Sequence, residues 1–493
     1  MPHAVTQSCV GDGSCVYACP VNCIQPTPDD PAFELAEMLF VDPASCVDCG
    51  ACRTACPVDA IKPAHELAPS EQEFLAINAE YHAVRRERPL LAPLPPRLRV
   101  RDFGLPLRVA IVGSGPAAMY AADELLTIPR AQVTVYERLD RPYGLVRSGV
   151  APDHRRTRRV TRQLDKIRGH RRLTMRLGVE IGRDLSHDDL LDRHDAVIYA
   201  VGALADKPLD IPGAELPGVA SATALVGWYN GHPDFADRRF GFAGVRRAVV
   251  IGNGNVALDV ARILAVDPQT LADTEIAPHA LAALAASEIE EIVVVGRRGP
   301  EHSAFTLPEL VGLASTPGIT LDVDQSALPD AAGDHATEPG VARKLELLRE
   351  LASRPAAGGR TISLRYGLTA TRIDGERAAE TISFARTHGG DAGAELTLDS
   401  GLVLSAIGYR GLPVPGLPYD GERGVVPNDG GRVIDPVTGA AVRSTYVAGW
   451  IKRGPSGFIG TNKRCAQETV RTLIDDHNAG LLRREARPPV VPA

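Results

Sequence analysis

Hydrophobic residues follow the same pattern twice in the chain. Residues 109–126, VAIVGSGPAAMYAADELL, begin as a short apolar run, pass through a glycine-rich turn and continue with apolar residues at helical spacing. Residues 248–264, AVVIGNGNVALDVARIL, repeat this order. An apolar strand, a G-x-G-x-x-A turn and an amphipathic helix in succession predict a dinucleotide-binding unit. Two such units predict an α/β protein that binds two nucleotides.

The two glycine turns contain the residues that we expect to contact phosphate. The first glycine permits the tight turn, the second lets the backbone approach a pyrophosphate, and the following helix directs its free N–H groups at the phosphates. The candidates in the first turn are Gly113, Gly115, Pro116, Ala117 and Ala118. The candidates in the second turn are Gly252, Asn253, Gly254, Asn255 and Val256.

The strands that follow the two units end in side chains of opposite charge. Residues 133–136 lead to Glu137, at the place where an acid binds ribose hydroxyls. The strand predicted at residues 289–295 leads instead to Arg297 and Arg298, where an acid would favour NAD. Two arginines suit a 2′-phosphate, so the pattern favours NADP(H); the alternative is a solvated basic turn.

The N-terminal segment carries a cysteine pattern of another kind. Eight of the nine cysteines lie between Cys9 and Cys56, which in a reducing compartment indicates metal ligation rather than disulfides. The second half of this segment has the C-x2-C-x2-C-x3-C-P spacing of bacterial ferredoxins, in which the fourth cysteine of each run ligates the other cluster. Zinc is disfavoured because zinc ribbons pair cysteines two by two. The predicted 4Fe–4S ligands are Cys19, Cys46, Cys49 and Cys52.

The remaining cysteines predict a second cluster with one ligand missing. Cys9, Cys15 and Cys56 are left, and Asp12 stands where the C-x2-C spacing would place a cysteine. Three thiolates favour a 3Fe–4S cluster. A second 4Fe–4S cluster, completed by Asp12 or Cys23, remains the alternative.

Composition and charge limit the classes of function. No apolar run is long enough to cross a bilayer and the first residues do not resemble a secretory signal, so we expect a soluble cytoplasmic protein. The formal charge of -7 is concentrated in residues 1–63, which hold eight acidic residues against Arg53 and Lys62. Such an acidic head argues against nucleic acid as a partner. Only Cys465 follows Cys56, which excludes the paired thiol of a disulfide reductase.

Two further segments resemble a known family. Residues 141–154, RPYGLVRSGVAPDH, and residues 448–462, AGWIKRGPSGFIGTN, resemble the flavin segments of adrenodoxin reductase-like ferredoxin–NADP reductases. The cysteine segment is similar to seven-iron ferredoxins, as in the mycobacterial or actinobacterial type that carries an N-terminal ferredoxin. The resemblance implies a glutathione reductase-like flavoprotein with two dinucleotide-binding domains, preceded by a small α+β ferredoxin domain.

The resemblance also implies a domain arrangement. Residues 1–88 would form the ferredoxin domain, and the proline-rich residues 89–106 a stiff linker. Residues 107–210 and 405–493 would form the FAD-binding domain and residues 211–404 the NADP-binding domain. Within the first domain, Ser70 and Glu73 form a capping-box pattern, which predicts a helix through Phe74, Ile77, Tyr81 and Val84.

Further site residues follow from the resemblance. It implies that FAD contacts Leu145, Ile181, Gly449, Trp450, Gly457, Phe458 and Ile459 in addition to the first glycine turn. His154 and Glu309 match family positions near the nicotinamide and flavin rings, which implies roles in positioning and proton handling. The alternative is that these two are structural polar residues.

The implied activity is electron transfer between NADPH and iron–sulfur clusters. FAD would take a hydride from NADPH and pass single electrons to the clusters, and the final acceptor would be a redox protein or an external ferredoxin. One alternative is the electron-supplying subunit of a larger complex resembling glutamate synthase, which would copurify with a large partner. Another is a non-catalytic redox carrier or sensor, which would not turn over NADPH.

A basic stripe suggests where the acidic head docks. Residues 154–172 place several basic side chains on one helical face, beside the predicted flavin segment. We therefore predict that this stripe binds the acidic surface of the ferredoxin, although a solvated face is the alternative. The stripe consists of Arg155, Arg158, Arg159, Arg162 and Lys166, and the acidic surface of Asp42, Asp48 and Asp59.

Overall fold

Two twisted sheets, each built on one glycine-turn unit, form most of the chain. The computed structural model describes residues 2–83, 88–95, 97–329, 339–355, 358–387 and 393–482. The predicted helix residue Val84 and the linker residue Pro96 lie outside these ranges. Among the described residues, no helix combines the length and the apolar character required to cross a membrane.

The first sheet has seven strands, and the first glycine turn follows the middle one of its five parallel strands. Its apolar runs are typical of parallel strands buried on both faces. Five neighbouring strands are parallel, and the remaining two form an antiparallel extension at one edge. The order is Asn428–Asp429, Arg432–Ile434, Ala441–Val447, Ala196–Tyr199, Arg108–Val112, Gln132–Glu137 and Leu173–Leu177.

The second sheet is fully parallel and has six strands. Its order is Val219–Ser221, Leu402–Ser405, Arg247–Ile251, Glu291–Val295, Arg360–Arg365 and Ile319–Val323. An antiparallel sheet of Leu368–Asp374, Thr381–Arg386 and Glu395–Asp399 accompanies it. The chain passes between the two large sheets at the paired strands Ala205–Asp206 and Tyr409–Arg410.

Helices cover the two large sheets. The first-turn helix Pro116–Leu126 packs against the C-terminal helix Thr461–Asn478. The second-turn helix is Asn255–Ala265. The other α-helices outside the N-terminal segment are Leu145–Ser148, Arg155–Arg158, Val160–Arg168, His187–Arg193, Ala222–Tyr229, Pro278–Ala285, Leu307–Ala314, Pro339–Ser353 and Trp450–Arg453.

The N-terminal segment, here called the head (residues 2–83), repeats one small unit twice. Short helices Ser14–Ala18 and Ala51–Ala55 each begin after a glycine in the left-handed region and end at an extended cysteine that precedes a proline. The helices accompany two small antiparallel pairs of strands. The pairs are His3–Val5 with Ile61–Pro63 and Ile24–Gln25 with Phe40–Val41.

The third helix of the head, Glu73–Tyr81, begins later than its sequence pattern predicts. Residues Pro69–Glu71 form a 3₁₀ turn instead, and Gln72 is the N-cap of the helix. The Glu71 carboxylate accepts a hydrogen bond from Ala68 N at 2.9 Å and forms an ion pair with Lys62 at 2.5 Å. The predicted capping box at Ser70 and Glu73 is therefore wrong, because Glu71, two residues before Glu73, makes the bond to an N-cap N–H, at Ala68.

The fold class predicted from the sequence is confirmed: two dinucleotide-type α/β units follow a small α+β head. The head packs against both sheet units. Val10 and Val58 belong to the same buried apolar cluster as the first-turn helix, whereas Val16 and Phe74 belong to the cluster of the second sheet. The domain boundaries given above stay a prediction.

Candidate functional site

The first glycine turn has the shape that a pyrophosphate requires. Gly113 has φ +95°, and a β-carbon there would lie 2.5 Å from the carbonyl oxygen of Ala200. A β-carbon on Gly115 would meet nothing within 4 Å, so the backbone is open on the side that faces the helix N-terminus. The first turn of that helix carries Pro116 and has no side-chain cap. Its N–H groups are thus available to an anion.

Glu137 lies beside this turn at the end of strand Gln132–Glu137. It is buried, and its Oε2 accepts hydrogen bonds from Ser114 N at 3.1 Å and Ser114 Oγ at 2.5 Å. Its Oε1 accepts a hydrogen bond from Leu139 N at 3.0 Å. A carboxylate has about four acceptor positions, so the carboxylate can still accept bonds from a ribose. The strand and the turn thus place the predicted ribose ligand at the predicted pyrophosphate site.

The second glycine turn repeats this geometry. Gly252 has φ +117°, and a β-carbon there would lie 2.4 Å from the carbonyl oxygen of Ala406, whereas Gly254 is open. The two asparagines of the turn hold a neighbouring segment: Asn253 O accepts a hydrogen bond from Phe305 N, and Asn255 Oδ1 accepts one from Thr306 N at 2.8 Å. This segment leads directly into helix Leu307–Ala314, which carries Glu309.

The arginine pair lies exposed where strand Glu291–Val295 ends. The backbone of both residues is fixed, because Arg297 O accepts a hydrogen bond from Thr387 Oγ1 at 2.8 Å and Arg298 O accepts one from Gly367 N at 3.1 Å. Within the described ranges, neither guanidinium forms an ion pair with a carboxylate. The two charges are therefore available to a phosphate, at the position that the sequence predicts.

The segment of residues 448–462, here called the closing motif, packs directly on the first turn. Gly449 has φ +76°, and a β-carbon there would lie 2.7 Å from the Ala117 β-carbon. Trp450 Nε1 donates a hydrogen bond to the carbonyl oxygen of Ser456 at 3.1 Å, and the Trp450 ring lies 5.5 Å from the Tyr409 ring.

The other predicted flavin contacts lie around the same sheet edge. Phe458 N donates to Thr461 Oγ1 at 3.0 Å, and the Phe458 carbonyl accepts from Asn462 Nδ2 at 3.1 Å. Leu145 starts the short helix that follows Gly144, and a β-carbon on Gly144 would lie 3.5 Å from Gly115. The remaining predicted cofactor-binding residues are Ala118 inside the first-turn helix, Ile181 against the apolar cluster of the first sheet, and Gly457 and Ile459 in the closing motif. Val256, predicted for the second glycine turn, lies inside the second-turn helix.

His154 and Glu309 meet between the two large sheets. His154 Nε2 lies 3.9 Å from Glu309 Oε2 and 3.5 Å from Asp259 Oδ1. Arg262 closes the cluster, since its guanidinium binds Asp153 at 2.7 Å and Asp259 at 2.7 Å. Burial raises the pKa of Glu309, and the Asp259 charge raises it further, while His154 and Arg262 lower it.

Asp259 and Arg262 were not identified from the sequence. They lie one turn apart on the second-turn helix, so their spacing alone indicated an ordinary surface ion pair. Only the approach of residues 153–154 from the first sheet makes them part of a site.

The cysteines of the head form two groups. Electrostatic interactions couple Cys9 with Cys56 and Asp12. Cys15 interacts with these three residues and also with Cys52 of the second group. Asp12 is buried, and Ser14 Oγ donates a hydrogen bond to its carboxylate. By the internal repeat of the head, Asp12 occupies the position that Cys49 has in the second unit.

The second group brings together the predicted 4Fe–4S ligands. Cys52 is coupled electrostatically to Cys46, Cys19 and Cys49. Cys23 joins this group, since its Sγ lies 3.4 Å from Cys19 Sγ. The contact with Cys23 lowers the pKa of Cys19. This placement weakens the alternative in which Cys23 completes the other cluster.

The head contacts the closing motif through the loop of its first cysteine group. Gly460 N donates a hydrogen bond to the carbonyl oxygen of Val10 at 2.7 Å, and a β-carbon on Gly460 would lie 2.1 Å from the Gly11 backbone. Lys463 approaches the same loop, with its Nζ 3.4 Å from the Asp12 carbonyl oxygen. The Cys9–Cys15–Cys56 group therefore faces the predicted flavin site.

The predicted basic stripe contributes to docking only in part. Arg159 forms an ion pair with Asp59 of the head, and Arg156, which was not in the predicted set, binds Glu71 at 2.9 Å. Arg158 does not bind the head: it is buried and binds Glu275 at 2.7 Å and Asn230 Oδ1 at 2.6 Å. Its predicted docking role is wrong, because helix Arg155–Arg158 turns this side chain toward the second-sheet unit.

The acidic partners predicted for this stripe also differ. Asp42 binds Arg88 at 2.5 Å, and Asp48 binds His3 at 2.9 Å. Both partners lie within residues 1–88 and not in the basic stripe. Among the described residues, no ion pair joins Arg155, Arg162 or Lys166 to the head. Of the predicted acidic surface, Asp59 alone meets the stripe in the described structure.

Comparisons with known proteins agree with this architecture. A family model described as pyridine nucleotide-disulphide oxidoreductase matches residues 107–292, and one described as 4Fe-4S dicluster domain matches residues 8–60. The chain is 55% identical to the probable ferredoxin/ferredoxin–NADP reductase of Mycobacterium tuberculosis over 98% of this chain and 85% of that protein. It is 44% identical to the NADPH-ferredoxin reductase FprA of the same species, over 75% of this chain and 84% of that one.

A solved structure resembles the chain behind the head. The structure of Mycobacterium tuberculosis FprA in complex with NADPH has a TM-score of 0.72 and 42% sequence identity. The match covers 77% of this chain and 87% of that chain.

Proposed function

The chain belongs to the ferredoxin/ferredoxin–NADP reductase family, and we propose that its own residues bind FAD, NADPH and two iron–sulfur clusters in one electron-transfer unit. It is an oxidoreductase with an N-terminal ferredoxin domain. The observation that carries the proposal is the hydrogen bond between Gly460 of the closing motif and Val10 of the cysteine loop, because it joins the flavin and cluster modules directly.

FAD fits the first glycine turn and NADPH the second. The open backbone at Gly115, the uncapped helix behind it and the buried Glu137 match a pyrophosphate and a ribose. Gly254 offers the same open approach in the second unit, and Arg297 and Arg298 supply charge for a 2′-phosphate. The structural relative FprA forms a complex with NADPH, which supports this assignment.

His154 and Glu309 are the candidate catalytic residues. When bound, the cofactors supply the chemistry: NADPH gives a hydride, and FAD divides its two electrons into single steps. The His154–Glu309–Asp259 cluster lies where the two nucleotide units meet, so it can orient the reacting rings and hold a proton close to them.

We propose that the cluster held by Cys9, Cys15 and Cys56 is the one next to FAD, because its loop touches the closing motif. The other cluster, held by Cys19, Cys46, Cys49 and Cys52, lies farther along the head. Cys49 and its neighbour Val47 are exposed there. This exposed edge is where an external redox protein would collect electrons, and we expect the reaction to take place in the cytoplasm.

Iron content tests the nature of the proximal cluster. Three thiolates predict a 3Fe–4S centre, hence about seven irons and one FAD per chain, with the electron-spin signal of an oxidised 3Fe–4S centre. The buried Asp12 at the cysteine position of the repeat supports the alternative of a second 4Fe–4S cluster with about eight irons.

An Asp12→Cys variant gives the matched comparison. If the native centre is 3Fe–4S, this variant is expected to gain about one iron and to lose the 3Fe–4S signal. Equal iron content of about eight in the native protein and in the variant would contradict the 3Fe–4S assignment.

The Arg159–Asp59 ion pair is expected to contribute little to electron transfer. Both side chains are largely exposed, and such pairs contribute about 0.2–1 kcal/mol. Arg159→Ala should therefore slow cluster reduction by roughly fivefold at most, at low salt. The effect should disappear in high salt, because exposed charges are screened there. A larger loss that persists in high salt would show that Arg159 does more than form this surface pair.

Anaerobic titration with NADPH tests the function as a whole. Both the flavin absorbance and the cluster signals should change as NADPH is added, with two electrons accounted for per NADPH, and the order of reduction should follow the midpoint potentials of the centres. Bleaching of flavin without any cluster reduction would refute the proposed unit. A large protein that copurifies stably would instead favour the subunit of a larger complex.

A further inference from the structure

The head places one polar side chain in the His154–Glu309 cluster. Gln7 Nε2 donates a hydrogen bond to Glu309 Oε2 at 2.9 Å. Gln7 and Ser8 also line a cavity of about 240 Å³, together with residues 153–157 of the flavin segment. The cluster therefore combines residues of all three parts of the chain.

Helix Leu307–Ala314 is shaped to receive this side chain. A β-carbon on Gly312 would lie 2.2 Å from Gln7 Nε2, so only the absence of a side chain at position 312 lets the amide reach Glu309 one turn earlier. The same helix is held by the head at its start, because Leu307 N donates to Glu37 Oε2 at 2.7 Å. Lys344 binds the other oxygen of Glu37 at 3.2 Å.

We propose that Gln7 is a positioning residue for hydride transfer, through which the ferredoxin head holds the Glu309 carboxylate beside His154. The inference rests on the proposed function of His154 and Glu309. It goes beyond that function because the head then completes the nicotinamide site as well as accepting electrons from FAD.

The direction of the expected effect follows from the charges around Glu309. His154 and Arg262 favour its ionised form, whereas burial and Asp259 oppose it. The bond from Gln7 also favours the ionised form, and so it lowers the pKa of Glu309. Loss of this donor should raise that pKa, so any step that needs the carboxylate would lose its rate at a higher pH than in the native protein.

Two variants remove the bond from opposite sides. Gln7→Met keeps the length of the side chain but removes the donor, and Gly312→Ala fills the space of the amide without changing the head. In both, the acid limb of flavin reduction by NADPH, followed by stopped-flow absorbance, should move up by about one pH unit. Infrared titration of the Glu309 carboxyl, identified with Glu309→Gln, should show the same shift without turnover.

Arg159→Glu is the control, since it disturbs a head contact that lies outside the cluster. The proposal predicts an unchanged acid limb in this variant. Unchanged pH profiles in Gln7→Met and Gly312→Ala, with native flavin and iron content, would overturn it, as would an equal shift in Arg159→Glu. If Gln7→Met does not fold, Gly312→Ala decides alone. Absence of flavin reduction in the native protein would refute the proposed function instead.

Discussion

Replacing Arg297 and Arg298 together by alanine is expected to weaken NADPH binding by roughly two to four orders of magnitude. Charge-assisted hydrogen bonds to a phosphate contribute about 1.5–3 kcal/mol each, and each 1.4 kcal/mol is about tenfold in affinity. NADH lacks the 2′-phosphate, so its affinity should stay within about twofold. Separate titrations of the variant with NADPH and NADH measure the difference.

The structure explains why this effect should be large. Both backbones are anchored, by Thr387 and Gly367, so the two side chains project from a fixed part of the main chain. Both guanidinium groups are exposed and, in the described part of the chain, neither forms an ion pair that a phosphate would have to break.

Two other arginines of the same unit provide the matched control. Arg246 and Arg372 are exposed and already paired with carboxylates, and Arg246 lies at the opposite end of the sheet from the glycine turn. Arg246→Ala and Arg372→Ala together should leave the preference for NADPH unchanged. If the preference for NADPH over NADH changes by less than about twofold in the Arg297 and Arg298 variant, the two arginines do not bind the 2′-phosphate and form only a solvated turn.

The parts of the fold that sequence predicted best are those that depend on local pattern. The strands Arg108–Val112 and Arg247–Ile251 read as apolar runs before a glycine turn, and both lie inside parallel sheets. Gly113 and Gly252 have the positive φ that the turn requires. These features depend on neighbours within a few residues, and therefore a single sequence contains the information.

The contacts between distant segments could not be predicted in the same way. Arg158 belongs to a basic helical stripe, yet it is buried and bound to Asn230, because the second-sheet unit packs on that face. No sequence pattern indicated a role for Gln7, since its partner Glu309 lies 302 residues away. Such pairs depend on how the head, the flavin segment and the second unit pack, which helical periodicity does not encode.

The head was predictable from the sequence only in part. Spacing predicts its two ligand groups, and the structure brings the cysteines of each predicted group near one another, while the ligand assignment itself stays a prediction. The surface of the head that meets the closing motif was not predicted. The basic stripe suggested instead that the head docks through Asp42, Asp48 and Asp59. The contact that we propose for electron transfer is made by backbone, between Gly460 and the Val10–Gly11 loop, and backbone contacts leave little trace in charge or hydropathy.

Gly460→Val is therefore expected to uncouple the clusters from FAD. Gly460 has ordinary helical angles, so valine would cause no backbone strain, but its β-carbon would lie 2.1 Å from the Gly11 carbonyl carbon and 2.4 Å from Asp12 N. Overpacking of this kind costs about 1–3 kcal/mol, and relief requires the cysteine loop to move away. Flavin-to-cluster transfer should slow by up to roughly five- to 150-fold, the factor by which that free energy lowers the equilibrium constant for docking of the loop.

Gly421→Val separates this effect from general damage, because a β-carbon at Gly421 meets nothing within 4 Å. Flavin reduction by NADPH should keep its native rate in Gly421→Val and should fall much less than cluster reduction in Gly460→Val, since His154, Glu309 and the two glycine turns are unchanged. Stopped-flow traces that follow flavin and cluster absorbance separately give both rates, and flavin and iron content show that the cofactors are retained. Native rates of cluster reduction in Gly460→Val would mean that electrons leave FAD by a path other than the Val10–Gly11 loop, and that the Cys9–Cys15–Cys56 cluster is not the first acceptor.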